Sequence, residues 1–133
     1  MEDRAIISET RQCKVIFPNT LNDHDTLFGG TAMQWMDEVA YITAIRFTKQ
    51  KMVTVSVEKV KFLLPIKSGS IVEIIGRVIK VKNVKIEIEV EIYMEEMFCE
   101  SRQKAMHALF TFAAVNDENK PIAIKGRTES MIS

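Results

Sequence analysis

The stretch from Leu27 to Phe47 constrains this chain most, because it reads as one long helix entered through the glycine pair Gly29 and Gly30. From Gly30 to Phe47, the apolar residues Ala32, Met33, Trp35, Met36, Val39, Ala40, Ile42, Ala44, Ile45 and Phe47 cover most of the circumference. That predicts a helix enclosed by the rest of the protein. Asp37 stands out: its helical neighbours are Met33, Gln34, Ala40 and Tyr41, and a carboxylate among such groups is costly without a partner. It is therefore a candidate functional acid. The same spacing also fits an exposed strip shared with Gln34 and Glu38, so two readings of Asp37 stand at this point.

Around the helix the pattern is that of strands. Cys13 to Phe17 predicts a first strand ended by Pro18 and Asn19. The loop that follows gathers Asn22, Asp23, His24 and Asp25 before the glycines, a cluster that serves either turn and cap chemistry or one wall of an active site. Val53, Val55 and Val57 alternate with polar residues, then the apolar set moves to Val60 and Phe62, which predicts a bulge near Glu58 and Lys59. Pro65 to Gly69 is a turn, and Ile71 to Val81 the next strand, with Gly76 marking a bend or a close approach. After a Lys82-Asn83 turn, Val84, Ile86, Ile88, Val90 and Ile92 face in while Lys85, Glu87, Glu89 and Glu91 face out, most simply as a solvated acidic row. Ala105 to Val115 forms a last strand. The segment from Asn116 onward, and the termini 1–11 and 125–133 with Met131, are expected to pack loosely. A strand, a long helix and four more strands give an α+β fold, an antiparallel sheet wrapped on one helix.

Composition bounds the rest. With 133 residues, 47% of them hydrophobic, the chain has enough length for one core, and residues 1–133 are expected to form one domain. Lys and Arg number 18, as do Asp and Glu, so no overall field favours nucleic acid or an anionic membrane. Cys13 and Cys99 lie far apart and outside metal-ligand spacing, which suits a reducing compartment. No signal-peptide core opens the sequence, and no apolar run approaches the roughly 20 residues that cross a bilayer, so a cytoplasmic protein is expected.

Glycines at the start of a helix carry chemistry of their own. Without a β-carbon, Gly29 and Gly30 let the backbone approach a ligand, and the free N–H groups at the positive end of the helix can polarise a carbonyl oxygen. That is an oxyanion site in outline. The same glycines also suit a tight turn or close packing against a sheet.

Taken as a set, Asn22-Asp23-His24-Asp25-Thr26-Leu27-Phe28-Gly29-Gly30, then Met33, Trp35, Met36, Asp37 and Glu38, resembles the opening motif of the hot dog fold acyl-CoA thioesterases. Val53 to Glu58 with Phe62 and Pro65, Phe110-Thr111-Phe112 and Asn119-Lys120-Pro121 extend the resemblance from about Phe17 to Ile124. It implies hydrolysis of acyl-CoA thioesters, in which the Gly29 and Gly30 region binds the carbonyl oxygen, Asp37 is general base or nucleophile, and Asn22 orients thioester or water. Thr54, Phe28 and Phe62 are implied as substrate-binding positions. In the family, subunits pair their sheets edge to edge, residues from both chains form each site, and trimers of such dimers, hence hexamers, are frequent. Such chemistry calls for no metal and no redox cofactor, coenzyme A being part of the substrate.

Two departures are visible. Asp25 stands where the family often has glycine, and Lys82-Asn83-Val84-Lys85 replaces a Gly-Arg-Ser-Ser-like run beside the nucleotide phosphates. Lys82, Asn83 and Lys85 are thus candidate CoA-binding residues by position, and Lys82 and Lys85 also read as ordinary hairpin charges. Two rival functions fit parts of the pattern: a non-catalytic acyl-CoA binding module, and a hot dog hydratase or dehydratase using His24 and Glu38. The second lacks the proline and glycine expected between its histidine and acid. His107 reads as a structural or surface histidine. No Gly-x-Ser-x-Gly elbow is present, which excludes a serine hydrolase of that type.

Overall fold

The alternation and helical spacing of the sequence resolve into five strands and one long helix in the computed structural model, which describes residues 7–125. Strand β1 spans Thr10–Val15, helix α1 Gly29–Thr48, β2 Met52–Phe62, β3 Ser70–Val81, β4 Lys85–Glu96 and β5 Gln103–Ala114. Every pairing is antiparallel, in the order β1-β3-β4-β5-β2, so β1 and β2 are the edges. The alternating face of β4 turns Ile86, Ile88, Val90 and Ile92 to the core, where all four are fully buried. Across from them Met106, Phe110 and Phe112 of β5 and Ile74 of β3 complete the floor on which α1 lies.

Gly76 decides how α1 lies there. A β-carbon at this position would fall 2.6 Å from Thr43 Oγ1 and 2.9 Å from Val39 Cγ1, so the glycine is required by close approach of the helix to β3. The Thr43 hydroxyl donates to Val39 O at 2.8 Å, which satisfies it inside this buried contact. At its far end α1 stops at Lys49, whose φ of +56° places it in the left-handed region while its N–H donates to Ile45 O.

Several expectations need correction. The helix is not enclosed within one chain: Ala32, Met36, Val39, Ala40, Thr43, Ala44 and Phe47 are buried, but Gln34, Asp37, Glu38, Tyr41 and Ile42 are exposed. The acidic row of β4 is not simply solvated. Glu91, nearly buried, pairs with Arg77 at 2.8 Å and Lys104 at 2.6 Å, and Glu89 meets His107 at 3.1 Å, because long cations on β3 and β5 reach across the outer face. β1 begins at Thr10, three residues before the apolar pattern suggests, and Ser8 and Thr10 are buried with Arg46 donating to Ile7 O and Glu9 O. Residues 116–124 also pack, since Val115 bridges to Pro121 and Ile124 is buried with its N–H on Asn83 O. Residues 1–6 and 126–133, including Met131, lie outside the described residues. The bulge in β2 is where the parity change puts it, between Glu58 and Lys61 with Lys59 at φ +53°, and a second shift occurs between Thr54 and Ser56.

Replacing Gly76 by alanine is expected to cost about 1–3 kcal/mol in urea unfolding through overpacking. Adding Thr43→Ala should recover part of that loss by removing the nearest atom, a non-additivity that two independent defects would not show.

Candidate active site

The loop ahead of α1 is built on one side chain. Asn22 Oδ1 accepts hydrogen bonds from His24 N at 2.8 Å, Thr26 N at 3.1 Å and Thr26 Oγ1 at 3.2 Å, while Asn22 N donates to Thr26 O. The turn this closes puts Asp25 at φ +60°, a left-handed conformation that glycine adopts freely and aspartate tolerates. The departure from glycine at this position therefore keeps the turn. Leu27 is buried and its N–H donates to Ile66 O at 2.7 Å, tying the loop to the segment after β2. With its oxygen saturated, Asn22 has only its Nδ2 amide left to offer a ligand.

The entrance to α1 carries no side-chain cap. Ala32 N makes the first intrahelical bond, to Phe28 O at 3.0 Å, and the amides of Gly29, Gly30 and Thr31 have no acceptor among the described residues. The two glycines differ. A β-carbon on Gly29 would lie 3.2 Å from the Phe62 ring, so its smallness serves packing, whereas nothing lies within 4 Å of the same position at Gly30. Close packing thus does not account for Gly30.

A cavity of about 340 Å³ lies here, lined on its polar side by Asn22, Thr26 and Gly29 and not by Gly30. Its apolar side is formed by Leu27, Ala32, Phe62, Leu63, Leu64, Pro65, Ile66 and Met106. Leu63, Leu64 and Met106 were not singled out in the sequence, and Thr26 and Pro65 were noted only as parts of motifs. Thr26 sat in the same polar cluster, but Met106 looks like any other residue of an apolar strand.

Other candidates lie elsewhere. Asp37 is two turns along α1, exposed beside Glu38, and is not on the wall of this cavity. Partial burial and then the neighbouring Glu38 charge push its carboxyl above the usual aspartate range. Thr54 sits exposed on edge strand β2 opposite Phe112, away from the cavity, and Phe28 is half-exposed at the helix entrance. The hairpin residues are not brought to it at all: Lys82 and Lys85 line a separate hollow with Ser56, Glu58, Glu87 and Thr111, Lys82 pairing with Glu87 at 3.7 Å. Alternation along β4 and β5 puts that hollow on the sheet face opposite α1, and Asn83 O is taken by Ile124 N. Within one chain, Lys82, Asn83 and Lys85 thus lie apart from the cavity beside Asn22 and Gly29. His24 is exposed and its neighbour is Asp23 at 3.7 Å, so a His24–Glu38 pair is not assembled at the cavity. His107 is held between Glu89 and Lys59 O, a structural place.

A family model described as the thioesterase superfamily matches residues 24–97, from the loop before α1 through β4. The chain belongs to this superfamily. It is 33% identical over 124 residues to an uncharacterized acyl-CoA thioester hydrolase of Bacillus subtilis, covering 87% of this chain and 72% of that one. Against the rat, mouse and human cytosolic acyl coenzyme A thioester hydrolases it spans 31% of their length. Among solved structures it matches the Staphylococcus aureus acyl-CoA hydrolase in complex with butyryl coenzyme A and coenzyme A, with TM-score 0.85, 34% identity and coverage of 90% and 73%. Variants of that hydrolase have an aspartate, a threonine or an asparagine replaced by alanine. It also matches a hexameric thioesterase of Yersinia pestis, with TM-score 0.80, 30% identity and coverage of 86% and 93%. The antiparallel sheet and single long helix of the superfamily member are thus the hot dog fold that the sequence motifs implied.

Carbon-detected titration of the side-chain carboxyls is expected to place Asp37 above the usual aspartate range. Glu38→Gln should bring it down, because one of the two causes of the shift is then gone; an unmoved Asp37 would leave burial as the sole cause.

Proposed function

We propose that this chain hydrolyses acyl-CoA thioesters to the free acid and CoA, in a site shared between two copies of itself. The observation that carries it is the uncapped start of α1, where Gly29 lies beside Asn22 on the wall of a cavity with an apolar side and the Gly29 and Gly30 amides have no acceptor among the described residues. Amides fixed in this way stabilise the oxygen of a thioester carbonyl as it gains negative charge, and they need no reorganisation to do so. Asn22 Nδ2 adds a donor, because Oδ1 is already used by the loop.

Asp37 supplies the other half of the reaction. Lying outside the cavity of its own chain, it serves the cavity of a second copy, as Asp37 of the partner subunit. There the carboxylate either takes a proton from water attacking the carbonyl carbon, or attacks that carbon itself to form a mixed anhydride that water then hydrolyses; in both cases the C–S bond breaks and the CoA thiolate leaves. A carboxyl raised above its ordinary range is a stronger base. The hydrolase from S. aureus supports the choice of residues: the three replaced in its variants are spaced as Asn22, Asp37 and Thr54 are here.

Self-association has its own support in this chain. Val53, Val55 and Val57 are exposed on the free edge β2, and Tyr41 and Ile42 are exposed on α1, surface that a second copy would cover. The hexameric state of the Yersinia relative supports a further step from dimer to hexamer, which we read as a trimer of dimers. Residues 1–133 act as one thioesterase domain in this reading. No helix among the described residues is long and apolar enough to cross a membrane, and together with two unpaired cysteines this supports a cytoplasmic location.

Release of free thiol from a panel of acyl-CoAs tests the proposal. Asp37→Asn is expected to lower kcat by about 100-fold or more at unchanged folding. Asn22→Asp keeps the acceptor that organises the loop and loses the donor, so it should melt near the native temperature yet lose about 100-fold in kcat. Because Asp37 acts ionised, activity should fall as the pH drops through its raised pKa. Tight acyl-CoA binding with no thiol release would instead mark a binding module.

A further inference from the structure

The cavity at the start of α1 has two chemically different ends. At one lie the Gly29 amide and Asn22; at the other the wall is hydrocarbon, with Ala32 and Met106 both almost fully buried and Leu64 at the rim. The backbone of this wall offers little to a polar ligand. Leu63 N and Leu64 N both donate to Ala105 O, and Ile66 O already accepts from Leu27 N. A pantetheine arm carries two amides that would lose their water here without gaining partners, while an alkyl chain loses nothing.

Resting on the thioesterase reading above, we propose that this cavity takes the alkyl part of the acyl group, and that Ala32 and Met106 form the floor that limits its length. Ala32 stands in the first turn of α1, one helical step beyond the amides, and its single methyl leaves the depth open. Met106 approaches from β5, opposite Ile92, with an unbranched side chain that adapts to partial filling. A long chain entering beside Gly29 therefore runs to the buried Ala32 and Met106, and the thioester is held back from the amides when the chain outruns the cavity.

The test is kcat/KM measured on straight-chain acyl-CoAs from acetyl to palmitoyl, for the native protein and three variants. Ala32→Leu fills the floor and is expected to lower the ratio of long-chain to short-chain kcat/KM about tenfold or more, the scale of one to two methylenes in an apolar pocket. Met106→Ala should shift the optimum to longer chains. Leu64→Ala, at an exposed rim position where folding is not at risk, should lower the same ratio by removing alkyl contact. A length profile unchanged in all three, or lowered equally at every length, would overturn the inference and give this wall to the pantetheine arm. If the native protein released thiol from no acyl-CoA, the thioesterase reading would fall, and the inference with it.

Discussion

Everything in this fold hangs on how near α1 can come to the sheet. At Gly76 the helix and β3 are closer than any side chain would allow, and Val39 and Thr43 fill the space a β-carbon would need. The threonine fits only because its hydroxyl turns back to Val39 O, so that no polar group is stranded in the contact. Held there, α1 has its first turn over the end of β5 and against the segment after β2, where Phe62 packs on Gly29. The position of the helix amides, and hence of the cavity, is a consequence of packing some ten residues further along the same helix.

The acids of the chain fall into two opposite environments. On the outer face, Glu9, Glu73 and Glu91 are partly buried, which by itself raises their proton affinity, yet hydrogen bonds from Arg77, Arg11, Arg102 and Lys104 outweigh burial and hold them below the usual range. Such pairs stabilise the fold above the ordinary glutamate range and lose that effect as the pH falls through their lowered values. Asp37 has no ion pair among the described residues, and its only near charge is Glu38, of the same sign. One set of carboxylates is structural and kept charged; Asp37 is left beside a like charge with its proton affinity raised.

How much of this could be read from the sequence depends on which interactions set each feature. Period and parity are local, so the strands, the helix and the bulge at Lys59 were legible, as was the close approach at Gly76. Pairing across the sheet is not local: nothing near Glu91 in sequence announces that Arg77 and Lys104 will reach it, which is why the acidic row looked solvated. The helix looked enclosed because its apolar residues cover most of the circumference, but in one chain only one side is buried. At the site, the glycine pair and Asn22 were visible as a motif, and the three hydrogen bonds that occupy Asn22 Oδ1 and leave Nδ2 as the group it can offer were not. Met106 carried no signal, since a cavity wall and a core strand share the same residue types.

The unburied side of α1, the bare edge of β2 and the place of Asp37 outside the lining of its own cavity are the grounds for the proposal that a second copy completes the site. Subunit complementation tests that claim most directly. Asp37→Asn and Asn22→Asp chains, each inactive alone, would be co-expressed and the mixed oligomer assayed for thiol release from an acyl-CoA. If each site takes its amides and Asn22 from one chain and Asp37 from the other, a mixed pair contains one intact site, and activity should return well above either parent. If the whole site lies within one chain, every site in the mixture is damaged, and the absence of recovered activity would contradict the account.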